Sequence, residues 1–155
     1  MHMKFTGTYN FQASVFQVYD ALLNPSFLQK SIPGCEAAWW PDTDHMKVRL
    51  TLPIPVAGLQ GPYDATLRIL EQEPPHHLVL HVGRTGRIGG TVATVTRITL
   101  TNEETGSRLT YDSQIDLKGP IAFAGSPIFQ DLFKHMLSKF FTNLDKELMK
   151  TTIVS

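Results

Sequence analysis

The chain has 155 residues, 42% of them apolar and 18% charged, with fourteen basic and fourteen acidic side chains and no net charge. That length suits one domain able to bury about 70% of its unfolded surface. The balance excludes a disordered or fibrous chain, and any protein that recruits nucleic acid through its overall field. A single cysteine, Cys35, excludes an internal disulfide and fits a reducing cytoplasm.

The start, Met1-His2-Met3-Lys4, lacks the apolar core of a signal peptide. Phe5, Gly7, Tyr9 and Phe11 alternate with polar residues and read as a first strand. Ser14 caps a short helix carrying Val15, Val18, Tyr19 and Leu22, and Asn24-Pro25 breaks it. A second short helix runs from Pro25 to about Ser31, and Ile32-Pro33-Gly34 is a turn. Cys35 to Trp40 reads as strand, with Pro41-Asp42-Thr43-Asp44 as a hairpin turn. In the next strand Met46, Val48, Leu50, Leu52, Ile54 and Val56 share one face, while Lys47, Arg49 and Thr51 share the other. Pro53 and Pro55 make its far half an edge or take it out of the sheet.

Further strands carry Tyr63 to Ile69, Leu78 to Val82 after the Pro74-Pro75 corner, Val92 to Leu100, and Leu109 to Leu117. Thr101 to Gly106 forms a hairpin between the last two. Strands joined by short turns predict one strongly bent antiparallel sheet. The chain closes with a helix over about 126–150, opened by Ser126-Pro127. On it Ile128, Phe129, Leu132, Phe133, Met136, Leu137, Phe140, Phe141, Leu144 and Leu148 recur at helical spacing. Burying about ten such side chains, at roughly 1.5 to 3 kcal/mol each, gives this helix a major share of the stability. Asp131, Lys134, Lys139, Asp145, Lys146 and Glu147 interrupt it, so no transmembrane segment is expected.

Catalytic and metal chemistry finds little support. Gly83 to Gly90 is glycine-rich, but strand pattern lies on both sides, where a phosphate cradle needs strand, loop and helix. A hairpin or bulge is favoured, with an anion or lipid-headgroup contact through Arg84 and Arg87 as the alternative. Asp42, Asp44 and His45 sit together in a turn without an evident distant ligand, so a solvated turn is expected and no metal site. No histidine pairs recognisably with a nucleophile and an acid, and Cys35 has no neighbouring base. No catalytic residue and no cofactor are therefore assigned.

The inward strand faces are more informative. Met46, Val48, Leu50, Leu52, Leu67, Ile69, Leu80, Val92 and Ile98 are apolar, and only Thr94, Thr96, Tyr111 and Ser113 bring hydroxyls. Such a lining suits a nonpolar ligand held by shape and oriented by a few hydrogen bonds. It equally suits a filled core. The residues expected to line a ligand cavity are Trp40, Val48, Leu50, Leu52, Leu67, Leu80, Thr94, Thr96, Tyr111 and Ser113 from the sheet. The helix is expected to add Phe133, Met136, Leu137 and Phe140.

The segment Ile32-Pro33-Gly34-Cys35-Glu36, placed just after a pair of short helices, is fairly specific. Supporting it are Val18-Tyr19-Asp20-Ala21-Leu22-Leu23-Asn24-Pro25, Gly61-Pro62, Pro74-Pro75, the Gly83 to Gly90 stretch, Leu109-Thr110-Tyr111 and Ala124-Gly125-Ser126. Together they resemble the carbon monoxide dehydrogenase G-subunit family, within the START-like superfamily of polyketide cyclases, lipid-transfer domains and pathogenesis-related proteins. The resemblance implies an α+β helix-grip fold over 1–155, a curved sheet wrapped around a long C-terminal helix and enclosing a hydrophobic cavity. It also implies association with a molybdenum hydroxylase such as carbon monoxide dehydrogenase, recruitment to the membrane and carriage of a quinone. Some members bear a C-terminal membrane-engaging extension. Only Thr151 to Ser155 follow the expected helix here, so an autonomous anchor is not expected, and what the resemblance implies is peripheral contact at the inner face of the membrane. The superfamily shares no catalytic set.

The favoured expectation is a cytoplasmic, noncatalytic carrier of a quinone- or lipid-like molecule serving such an enzyme. Two others stand beside it: a small cyclase- or hydrolase-like enzyme using Tyr111 with a pocket histidine, and an adaptor presenting the Trp39-Trp40 region and the glycine-rich loop.

Overall fold

The computed structural model describes residues 2–51, 62–85, 91–118 and 127–154, with the side chains of 85, 127–129, 132 and 151–154 excepted. Chain order is β1 (His2–Phe11), α1 (Val15–Leu22), α2 (Pro25–Ser31), β2 (Cys35–Trp39), β3 (His45–Leu50), β4 (Tyr63–Glu73), β5 (His77–Thr85), β6 (Thr91–Glu103), β7 (Gly106–Lys118) and α3 (Pro127–Val154). The strands form one antiparallel sheet in the order β1-β7-β6-β5-β4-β3-β2. The helix-grip class is thus the fold observed.

Local chemistry sets the boundaries. Ser14 and Gln17 form a reciprocal cap: the Ser14 hydroxyl accepts from the Gln17 N–H at 3.3 Å, and the Gln17 amide oxygen accepts from the Ser14 N–H at 2.9 Å. Asn24 caps α2 through the Ser26 N–H, and Pro25 starts it where no intrahelical donor is required. Gly34, at φ +78°, turns the chain into β2, and its carbonyl accepts from the Thr51 N–H at 2.9 Å.

The β6–β7 hairpin is tighter than expected. Its ladder runs on to the pair Glu103–Gly106, leaving only Glu104-Thr105 in the turn, and Gly106 takes φ +108°. β4 carries a register break between Ile69 and Glu71, where Leu70, already on the outer face by alternation, is the extra residue and is exposed. The expected far half of β3 (Leu52 to Val56) and the Ser126 cap lie outside the described residues, as do Arg87 and Gly86 to Gly90.

The core sits where α1, α2 and the second half of α3 meet the concave face of the sheet. Phe11, Val15, Val18, Leu22, Met46, Leu78, Leu100, Leu109, Leu144 and Leu148 are its buried centre. Two polar ties fix α3 there. Asp145, itself buried, accepts from the Gln12 N–H at 3.2 Å and the Tyr9 hydroxyl at 3.5 Å. The Asn143 amide donates to the Ser31 carbonyl at 3.0 Å, joining the end of α2 to α3.

Candidate functional site: an apolar cavity under the first half of α3

Toward the start of α3 the helix stands off the sheet, and a cavity of about 300 Å³ opens between them. Its roof is Phe133, Met136, Leu137, Phe140 and Phe141. The floor is the concave face of four strands: Leu67 from β4, Leu80 and Val82 from β5, Thr94, Thr96 and Ile98 from β6, and Tyr111, Ser113 and Ile115 from β7. Leu22, Leu28, Ile32 and Pro33 close one side. Strand register explains the grouping, because Leu67 pairs with Val82, Val82 with Thr94 and Thr94 with Ile115, forming one transverse row on one face.

Hydroxyls are scarce on this surface, and most are already engaged. Thr96 and Ser113 bond to each other at 2.5 Å, and the Thr94 hydroxyl donates to the Val82 carbonyl at 3.3 Å. The Tyr111 hydroxyl has no hydrogen-bond partner among the described residues. Its ring lies over Gly7 of β1, where a Cβ would sit 2.5 Å from the phenol oxygen, and it touches Phe141 at 5.6 Å between centroids. Burial pushes the phenol pKa up, so Tyr111 presents a neutral donor or acceptor to the cavity. None of the six histidines lines it. The acid–base pairing of Tyr111 with a pocket histidine therefore does not form.

Ten of the residues expected from sequence lie on this lining: Leu67, Leu80, Thr94, Thr96, Tyr111, Ser113, Phe133, Met136, Leu137 and Phe140. Three do not. Val48 is buried in the packed core beside Met46, and Leu50 packs partly against that core from the end of β3. Both are inward-facing, but their strand lies nearer the sheet edge than the cavity does. Trp40 turns toward α1 instead, its indole N–H donating to the Leu23 carbonyl at 3.2 Å. Its neighbour Trp39 is exposed, with Arg49 5.7 Å from the ring. Leu52 lies outside the described residues.

The expected set omitted Leu22, Leu28, Ile32, Pro33, Val82, Ile98, Ile115 and Phe141. Val82, Ile98 and Ile115 continue the same two-residue alternation as Leu80, Thr96 and Ser113, so the signal was present. No local signal marks Leu22 and Leu28, because which side of a short helix meets a cavity is set by tertiary packing.

Elsewhere the chemistry is quiet. Cys35 is half-buried, its thiol donates to the Ala37 carbonyl at 3.5 Å, and burial raises its pKa, which disfavours the thiolate. At the β2–β3 turn, His45 Nδ1 lies 2.6 Å from an Asp44 oxygen and 3.1 Å from an Asp42 oxygen. Hydrogen bonds from this turn draw the exposed Asp44 carboxyl down to about 2. These three groups satisfy one another at the surface. An open depression of about 450 Å³ lies beside the second half of α3, bordered by Gln12, Asp145, Lys146, Met149 and Lys150.

A curved sheet gripping a long helix over an apolar chamber defines a START-like, hydrophobic-ligand-binding fold. The carbon monoxide dehydrogenase G-subunit (CoxG) family matches residues 7–149, and the chain belongs to it. A conserved protein from Geobacillus kaustophilus superposes with a TM-score of 0.85 at 29% identity, covering 96% of this chain and 97% of that one. Ara h 8.0201, of Bet v 1 type, superposes at 0.70 with 12% identity over 97% and 99% of the two chains. A protein from Rhizobium leguminosarum does so at 0.70 and 12%, over 97% and 96%. No curated protein matches the chain. Among the described residues, no helix is long and apolar enough to cross a membrane.

Proposed function

We propose that the protein is a noncatalytic carrier of a hydrophobic small molecule, quinone- or lipid-like, working as an accessory of a molybdenum hydroxylase such as carbon monoxide dehydrogenase. The observation that carries this reading is the cavity itself. A space of about 300 Å³ lined almost wholly by apolar side chains is room enough for a small hydrophobic body. A chain shaped for stability alone would fill the space with larger side chains than Thr94, Thr96 and Ser113. Family membership supports the partner, and the pairing of cavity hydroxyls with protein groups supports carriage over chemistry.

Native mass spectrometry of the purified protein, with organic extraction and analysis of the extract, tests the reading. A stoichiometric lipophile, or uptake of an added short-tailed quinone or fatty acid, is expected. A protein that carries none and takes up none would end it. Affinity capture of the molybdenum enzyme by the tagged chain tests the partner separately.

A further inference from the structure

One charged side chain stands on the cavity's face of the sheet, one step beyond its lining. Arg84 follows Leu80 and Val82 on β5 with the same alternation, and both of those line the cavity. It pairs with Val92, which pairs with Leu117, so its row lies directly beyond the lining row of Val82, Thr94 and Ile115. The guanidinium carbon lies 3.7 Å from the centre of the Tyr63 ring. Such a cation–π contact engages the ring face and forms no N–H···O bond. Its buried Nη1 has no hydrogen-bond partner among the described residues.

Nor is a counter-charge supplied from the neighbouring strands. Asp64 of β4 and Asp116 of β7 alternate onto the opposite, exposed face, where they bind Arg49 and His2. Partial burial pulls the Arg84 pKa down from its ordinary value. An unpaired buried donor of this kind costs free energy that a ligand acceptor can recover.

We propose that the cavity takes its ligand in one orientation, with an oxygen-acceptor head hydrogen-bonded to Arg84 and an apolar body lying under α3. The ligand class is then an amphiphile ending in a carboxylate or a ring carbonyl, not a plain hydrocarbon. This rests on the carrier reading above and narrows it.

The test compares three probes on the full chain: dodecanoic acid, a short-tailed benzoquinone, and dodecane as a headless control. Each is titrated against the wild type, Arg84→Met and Arg84→Lys, with thermal melting confirming that the variants fold. Wild type is expected to bind at least one headed probe about 10- to 100-fold tighter than dodecane, the range of a hydrogen bond to a charged group. Arg84→Met should lose that advantage while binding dodecane unchanged, and Arg84→Lys should keep much of it. Preference for the acid identifies a charged head, and preference for the quinone a neutral carbonyl. Equal affinity for headed and headless probes, or an undiminished preference in Arg84→Met, overturns the proposal and leaves the carrier reading standing. If no probe binds the wild type, both fall. If Arg84→Met does not fold, retention of the full preference by Arg84→Gln overturns the proposal, and loss of it supports it.

Discussion

Phe141, Leu144 and Leu148, in the second half of α3, are no more than 5% exposed, whereas Phe133, Met136, Leu137 and Phe140, in the first half, stay only half-buried. Both halves present the same apolar, helically spaced stripe. The difference lies in what the sheet and the short helices set opposite. The second half meets Tyr9 and Phe11 of β1, with ring centroids of the pair Phe11–Phe141 6.1 Å apart in an edge-on contact. It is also tied by Asp145 and Asn143. The first half faces Thr94, Thr96 and Ser113, whose short side chains cannot reach it, and the separation between helix and sheet becomes the cavity. One helix thus serves as core at one end and chamber roof at the other.

Substitutions in the two halves should therefore diverge, most sharply in stability. Leu144→Ala removes a side chain with no exposure and is expected to cost about 2–5 kcal/mol in chemical denaturation. Met136→Ala, bordering space that already exists, should cost about 1 kcal/mol or less, since few contacts are lost. Equal costs at the two positions would show that the cavity is closed in solution.

Next in size, Asp145→Ala should cost about 1–2 kcal/mol, because it removes the acceptor that the Gln12 N–H and the Tyr9 hydroxyl share. Ligand affinity should be little changed, since this anchor belongs to the packed half. Filling the chamber should do the reverse. Thr96→Leu with Ser113→Ala removes both members of the hydroxyl pair, so no buried donor is orphaned, and places bulk in the space. Lipophile binding is expected to fall at least about tenfold, or about 1.4 kcal/mol, with the unfolding midpoint held or raised.

The smallest effect is in titration. Burial raises the pKa of both Tyr111, on the cavity, and Tyr9, beside the packed half. A neutral phenol favoured by the fold contributes stability that is complete below the unfolded value, about 10, and is lost as pH climbs through the raised folded value. A lipophile in the cavity should delay phenolate absorbance further for Tyr111 and leave Tyr9 alone, which Tyr111→Phe and Tyr9→Phe would resolve.

The fold was readily legible in the sequence because its signals are local. Alternation at Met46 to Leu50 and at Leu109 to Leu117, the Ser14 cap and the long stripe of α3 each report the backbone period directly. The cavity floor was legible to the same extent, since Leu80, Thr94, Thr96 and Ser113 inherit their side of the sheet from that period. What sequence could not separate was facing inward from facing the cavity. Val48 and Leu80 show the same pattern, yet one is packed and the other lines open space. Trp40 misled for a related reason: its indole N–H needed a partner and found the Leu23 carbonyl, which draws the ring toward α1. Arg84 belongs in sequence to a glycine-rich stretch, and it is the β5–β6–β7 register that sets it beyond the cavity row.

The two halves of α3 each carry one methionine, Met136 in the cavity roof and Met149 beside the packed end. Methyl-labelled methionine spectra, recorded while a short-tailed quinone or dodecanoic acid is titrated in, read the central claim directly. The Met136 methyl signal is expected to shift in a saturable way with the bound fraction, while Met149 stays in place. A bound lipophile that moves Met149 and leaves Met136 unmoved would contradict it.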